Sequence, residues 1–169
     1  MPRAENRHGV VSNTSPIINL CKAGLLGLIE EMYSRVVVPT AVFKELTTGN
    51  VSRPDAISIQ ELVAHKALIV HPVKDRSLVR LIEQQLDRGE AEAIALAIEL
   101  RAELILLDEM DARRIAEIFK LKKTGFIGIL IAAEKAKMIP SAIHVLDQAR
   151  LKGFWINDDF YQEIRRKLE

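Results

Sequence analysis

The stretch VVSNTSPIINL, residues 10–20, runs from a short β-branched segment straight into an apolar helical pattern and sets Asn13, Thr14 and Ser15 at the junction. Valines 10 and 11 suit a buried strand. Ser15 followed by Pro16 reads as an N-cap with proline at the first helical position, and Gly24 reads as the stop. In open α/β sheets the sites are built where strands end. Asn13 is therefore either a turn former or one member of a site.

Working outward, the same kind of run recurs as RVVVP (35–39), ALIVHP (67–72) and ELILLD (103–108), with helical patterns between, and LKKT (121–124) is a late candidate for a further strand. Strands alternating with helices predict an α/β fold: a three-layer α/β/α arrangement around a central parallel sheet. Gly89 precedes the helical run EAEAIALAIEL, and Pro140-Ser141 separates two late helices. TTGNVSRP (47–54) has the chemistry of a loop, either a lid or a plain surface connection. Residues 9–169 read as one domain and residues 1–8 as a disordered or extended tail.

Composition narrows the function classes. Of 169 residues 49% are hydrophobic, with 8 Gly and 6 Pro, which describes a well-cored globule. Lys and Arg number 24 against 23 Asp and Glu, so a net charge of +1 supplies no global pull toward nucleic acid or membrane. The lone Cys21 excludes a disulfide framework and a Cys-based zinc site. The polar start MPRAENRH lacks a signal-peptide core, and no apolar run reaches the roughly 20 residues that span a bilayer, so the expected location is cytoplasmic, away from membranes.

Residues just past the C-terminal ends of parallel strands gather on one edge. Asn13 follows the first run, Asp108 follows ELILL, and Glu45 lies in PTAVFKEL after RVVVP, where Val42, Phe43 and Leu46 form the apolar stripe. Asp111, three residues after Asp108, shares a helix face with it. Helix capping is the plain alternative for these two aspartates. In GEAEAIALAIEL, Glu90 lies four residues before Ile94 on the core side, whereas Glu92 is expected to point away. Clustered carboxylates repel one another unless a cation sits among them. An all-oxygen donor set calls for Mg²⁺ or Mn²⁺, a chemistry that activates water at a phosphodiester. The histidines at 8, 65, 71 and 144 show no ligand spacing.

These residues carry a resemblance to the PIN-domain family, which includes the VapC-type toxin ribonucleases. The phrases VVSNTSPIINL, VVVPTAVFKEL, LDRGEAEAIALA, LLDEMDARRIA and TGFIGILIAAEKAKMIP are, more narrowly, similar to a bacterial and archaeal branch of PIN-like proteins, over roughly residues 9 to 165. The family's four acidic positions fall here on Asn13, Glu45, Glu90 and Asp108, with Asp111 matching a frequent additional acid. Glu90, 18 residues before Asp108, fits the family separation better than Glu92 at 16. The resemblance implies a PIN-like fold and a metal-dependent ribonuclease in which Glu45, Glu90 and Asp108 are catalytic and Asn13, Glu45, Glu90, Asp108 and Asp111 hold Mg²⁺ or Mn²⁺. It also implies that Ser15 orients a ligand or a substrate phosphate, and that products carry a 5′-phosphate and a 3′-hydroxyl. The usual pattern has Asp where this chain has Asn13. An amide oxygen ligates a cation without a formal charge, so the substitution weakens that position.

Residues 112–123, ARRIAEIFKLKK, carry five cations against Glu117 alone, and Arg113 and Arg114 are the candidate substrate contacts to an RNA backbone; a solvated helix face is the alternative. Aromatic residues, at 5%, do not suggest a base-stacking platform. The expected partners are RNA, an antitoxin protein if the chain is the toxin of a toxin-antitoxin pair, and a second copy in a homodimer. The rival reading is a PIN-like module that binds RNA or protein through a weakened or inactive site. A magnesium-dependent phosphatase or receiver domain lacks its Asp-x-Asp signature here.

Overall fold

The computed structural model describes residues 9–49 and 51–169, so the tail expected over residues 1–8 lies outside the described residues. The described residues form a parallel sheet of β1 (Val10–Ser12), β2 (Val36–Pro39), β3 (Leu68–His71), β4 (Leu104–Leu106) and β5 (Lys123–Thr124) in the order β3-β2-β1-β4-β5. The four expected runs are strands, and the LKKT segment supplies the fifth. Every side chain of β1 and β2 is buried, which is why these segments read as continuous apolar runs rather than as alternating ones.

The pleat divides those side chains between two cores. Val10, Val36, Val38, Leu68 and Leu106 face one layer, built from α1 (Thr14–Lys22), α2 (Leu28–Tyr33), α3 (Thr40–Thr48), α4 (Arg53–Ala64), α8 (Phe126–Lys135), α9 (Ala142–Leu151) and α10 (Asp158–Leu168). Val11, Val37, Ile105 and Leu107 face the other, built from α5 (Arg76–Ile82), α6 (Arg88–Glu99) and α7 (Met110–Ile118). The chain belongs to the three-layer α/β/α class predicted.

Local signals are met with two shifts. Helix α1 starts at Thr14, not after Ser15, and Asn13 occupies the N-cap position. The reason is the sheet: the Asn13 N–H donates to the Leu106 carbonyl at 3.1 Å, so strand pairing holds the chain up to that residue and the helix begins immediately after. Pro16 is tolerated within the first turn because its missing N–H is one of the four that a helix start leaves unpaired. Gly24 does end α1, at φ +68°. Likewise Gly89 lies inside the first turn of α6, which Asp87 and Glu90 start with a reciprocal capping box. The TTGNVSRP connection is short: α3 runs to Thr48 and α4 restarts at Arg53 under a Ser52 cap, with Asn50 outside the described residues.

From β1 the chain steps outward to β2 and β3, then returns to the other side of β1 for β4 and β5. That reversal opens a crevice between the C-terminal ends of β1 and β4. The small side chains of α6 let it lie against β1, β2 and β4, which brings its first turn to the same edge. No helix among the described residues is long and apolar enough to cross a membrane.

Candidate active site

Asn13 ends β1 at the floor of the crevice and is buried. Its side chain makes no capping bond to α1; Nδ2 donates instead to Glu109 Oε2 at 3.4 Å. The turn-former reading of Asn13 therefore gives way to membership of a side-chain cluster. Ser15 Oγ donates to the other oxygen of the same carboxylate, and Thr14 Oγ1 donates to Glu45 Oε2. The polar triplet at the β1–α1 junction thus orients two acids, one from α3 and one from the N-cap position of α7.

Glu45 stands one and a half turns into α3 and lies across the start of α6. A Cβ on Gly89 would come within 2.5 Å of Glu45 Oε1, so the glycine is what admits this carboxylate. Partial burial, and then the negative charges of Asp87, Glu109 and Glu92, hold the Glu45 carboxyl above its ordinary value against the opposing hydrogen bond from Thr14. Glu90 is buried in the α6 capping box with Asp87. Burial, then the charges of Asp87, Glu109 and Asp111, push its carboxyl up to about 7. The leading charge effects on both groups come from other acids.

Asp108 belongs to a different part of the edge. Its Oδ1 accepts from the Phe126 N–H at 2.7 Å and its Oδ2 from Asn19 Nδ2 at 2.8 Å, so it ties the start of α8 and the middle of α1 to the end of β4. It does not cap its own helix. Burial raises its carboxyl, and the nearby Glu109 charge adds to this, while those two hydrogen bonds and Arg113 oppose. Asp111 is solvent-exposed and pairs with Arg114 at 3.5 Å, acting on the cluster only through its charge on Glu90. Arg113 donates to the Leu107 carbonyl at 2.9 Å and flanks Asp108, which gives it a structural engagement at the crevice wall.

Glu92 corrects the expectation that it points away. Helix α6 is buried from Gly89 to Ala97 because the sheet and neighbouring helices surround it, so a helical residue there has no solvent side. Glu92 accepts from the Ala41 N–H at 3.1 Å, Arg76 Nη1 at 2.9 Å and Arg88 Nε at 3.3 Å. Its burial opposes ionisation, but these donors prevail and hold the carboxyl below its ordinary value. It is a buried, fully partnered charge that joins α6 to the start of α3 and to α5.

Residue reading missed Glu109, the acid nearest Asn13 and Ser15. The available signal was its place directly beside Asp108, just past the end of β4. Among the described residues, no three His, Cys, Asp or Glu side chains converge closely enough to hold a metal ion as they stand. The donor chemistry nevertheless fits a hard divalent cation. Glu45, Glu90 and Glu109 offer only oxygens, and the first two carry raised proton affinity from burial and from the shared negative charges of Asp87 and Glu109.

A parallel sheet with a β1/β4 crevice, lined by acids from three helices, defines a nuclease-type α/β domain of the PIN class. The PIN-domain family model DUF3368 matches residues 9–169, and the chain belongs to that family. Among curated proteins, no sequence matches it.

Proposed function

We propose that this chain is an endoribonuclease dependent on Mg²⁺ or Mn²⁺. The observation that carries the reading is the hydrogen bond from Asn13 to Glu109 at the β1/β4 crevice of a PIN-family chain, with the Glu109 charge acting on both Glu45 and Glu90. The three carboxylates and the Asn13 amide oxygen would hold the cation, which when bound neutralises phosphate charge and acidifies water. Thr14 and Ser15 set the rotamers of Glu45 and Glu109. Asp108 fixes the turn that presents Glu109 by anchoring Phe126 and Asn19. In the hydrolysis the water oxygen bonds to phosphorus, the bond from phosphorus to O3′ breaks, and the products carry a 5′-phosphate and a 3′-hydroxyl.

A cytoplasmic toxin of a toxin-antitoxin pair, working as a homodimer and silenced by an antitoxin, is the biological setting this reading favours. One observation supports the alternative of an RNA- or protein-binding module: Asn13 replaces a charged ligand, and its amide is engaged by Glu109. Incubating the purified protein with defined single-stranded RNAs, in Mn²⁺ and in chelator, separates the two. Manganese-dependent cleavage that is lost in Glu45→Gln and Glu109→Gln supports the nuclease. RNA retention without cleavage supports the module.

A further inference from the structure

A cavity of about 400 Å³ opens beside the acids, on the side of α1 and α8. Ser15, Asp108, Glu109, Lys22, Lys152 and Trp155 are among the residues that line it. Trp155 is 82% exposed, an unusual state for the most costly side chain to leave in water. It is not on a loose segment. Phe154 packs edge-on against the buried Phe126 with ring centroids 5.1 Å apart, and Ile156 is buried, so the residues on either side are anchored and the indole between them is held outward. Lys152 Nζ donates to the Lys22 carbonyl at 3.2 Å, which fastens this connection to the end of α1, and both lysines line the cavity.

An exposed, rigidly presented aromatic next to two cations and adjoining a hydrolytic crevice has the elements of single-strand recognition: a π-face for a base and positive charge for its phosphate. We propose that this cavity is a nucleotide subsite for single-stranded RNA, with a base flanking the cleaved bond stacked on Trp155 and its backbone phosphate held by Lys22 and Lys152. The identity of the polymer rests on the ribonuclease reading. The low aromatic content of the chain gave no hint of it, because composition counts rings and not where one is placed. A single stacking position also predicts tolerance of base identity, since every base offers a π-face.

Trp155 is the only tryptophan of the chain, so its fluorescence reports on this cavity alone. The test titrates the protein, in calcium, with an oligoadenylate of about ten nucleotides, an abasic oligomer of equal charge and the corresponding duplex. Quenching by the single strand, but not by the abasic oligomer or the duplex, is expected. With a labelled oligoadenylate, Trp155→Ala should weaken binding about five- to a hundredfold, and Trp155→Phe should restore most of it. Lys22→Gln and Lys152→Gln should each lower the slope of log affinity against log salt by about 0.7. Unchanged affinity in Trp155→Ala, equal quenching by the duplex, or no binding by the intact protein would overturn the proposal. So would quenching that needs no RNA and follows protein concentration, which would mean a second copy covers the indole. Manganese-dependent cleavage with unchanged affinity in Trp155→Ala defeats the subsite and spares the nuclease. Trp155-dependent binding without cleavage does the reverse.

Discussion

Asn13 at the end of β1 donates through Nδ2 to Glu109 at the start of α7, 96 residues away in sequence, and this contact joins the two strand ends across the crevice. An aspartate at position 13 would instead set two carboxylates face to face. Asn13→Asp is therefore expected to destabilise the metal-free protein by about 1–3 kcal/mol, the loss of a hydrogen bond to a charged group plus repulsion. It should also widen the gain in melting temperature that Mn²⁺ gives, because a full negative ligand is added. Thermal unfolding of both proteins in chelator and in Mn²⁺ checks both signs. Equal behaviour would place Asn13 outside the ion site.

Asp108 and Glu109 are adjacent but have different employments. Asp108→Asn turns an amide toward Asn19 and weakens the anchor at Phe126, so it should cost about 1–3 kcal/mol of stability in chelator. Glu109→Gln gives up one acceptor oxygen, but its amide can donate to the Ser15 hydroxyl and one negative charge leaves a repelling set, so it should cost less stability in chelator than Asp108→Asn while lowering Mn²⁺ affinity. Unfolding and Mn²⁺ titration on the pair separate an anchoring acid from an ion-holding one.

Gly89 offers a test that dissociates folding from the site. Alanine is favoured over glycine in a helix by up to about 1 kcal/mol. Its Cβ would collide only with the carboxylate end of Glu45, which can swing aside. Gly89→Ala should thus fold at least as stably as the parent, yet show weaker Mn²⁺ binding and slower RNA cleavage. Gly125→Ala should behave oppositely. There a Cβ would approach the Leu107 carbonyl at 2.8 Å as well as Asp108, backbone cannot step away, and a stability loss of about 1–3 kcal/mol is expected in a melting experiment.

The acids also make stability depend on pH. Glu90 keeps its proton in the folded chain up to about pH 7, against 4.5 as its ordinary value, so unfolding releases a proton between those limits. Its contribution is full below 4.5 and is lost as pH rises to about 7. The raised carboxyls of Glu45 and Asp108 act in the same direction, whereas Glu92, held low by Ala41, Arg76 and Arg88, contributes above its ordinary value and fails in acid. Melting in chelator should accordingly fall between about pH 5 and pH 7 and level off beyond. Glu90→Gln, which can still accept the Asp87 N–H, should flatten that slope.

What the sequence made legible follows from periodicity. β1, β2 and β4 are short apolar runs buried on both faces, and their alternation with helices leaves few topologies other than a parallel sheet. The edge was legible as far as each residue's position along the chain determines it: Asn13 contacts Glu109, Thr14 links Glu45 to the same junction, and the Glu109 charge reaches Glu90. Side-chain direction was not. Which partners Asp108 and Glu109 take, the Phe126 amide and Asn19 for one and Asn13 and Ser15 for the other, is settled by groups that only the folded chain brings near. Glu92 was misread because an amphipathic reading assumes a solvent face, and α6 has none. Trp155 escaped notice because its exposure is fixed by Phe154 and Ile156 on either side and not by any repeat.

Glu45, Glu90 and Glu109 are expected to take up one divalent cation although they stand apart without it. Calorimetric titration of Mn²⁺ into the intact protein and into Glu45→Gln and Glu109→Gln tests it most directly. The expected result is saturable binding with proton release near neutral pH, because the raised carboxyl of Glu90 must ionise, and at least tenfold weaker binding in each variant, about 1.4 kcal/mol or more. Binding that is absent from the intact protein, or that is indifferent to both substitutions, would contradict it.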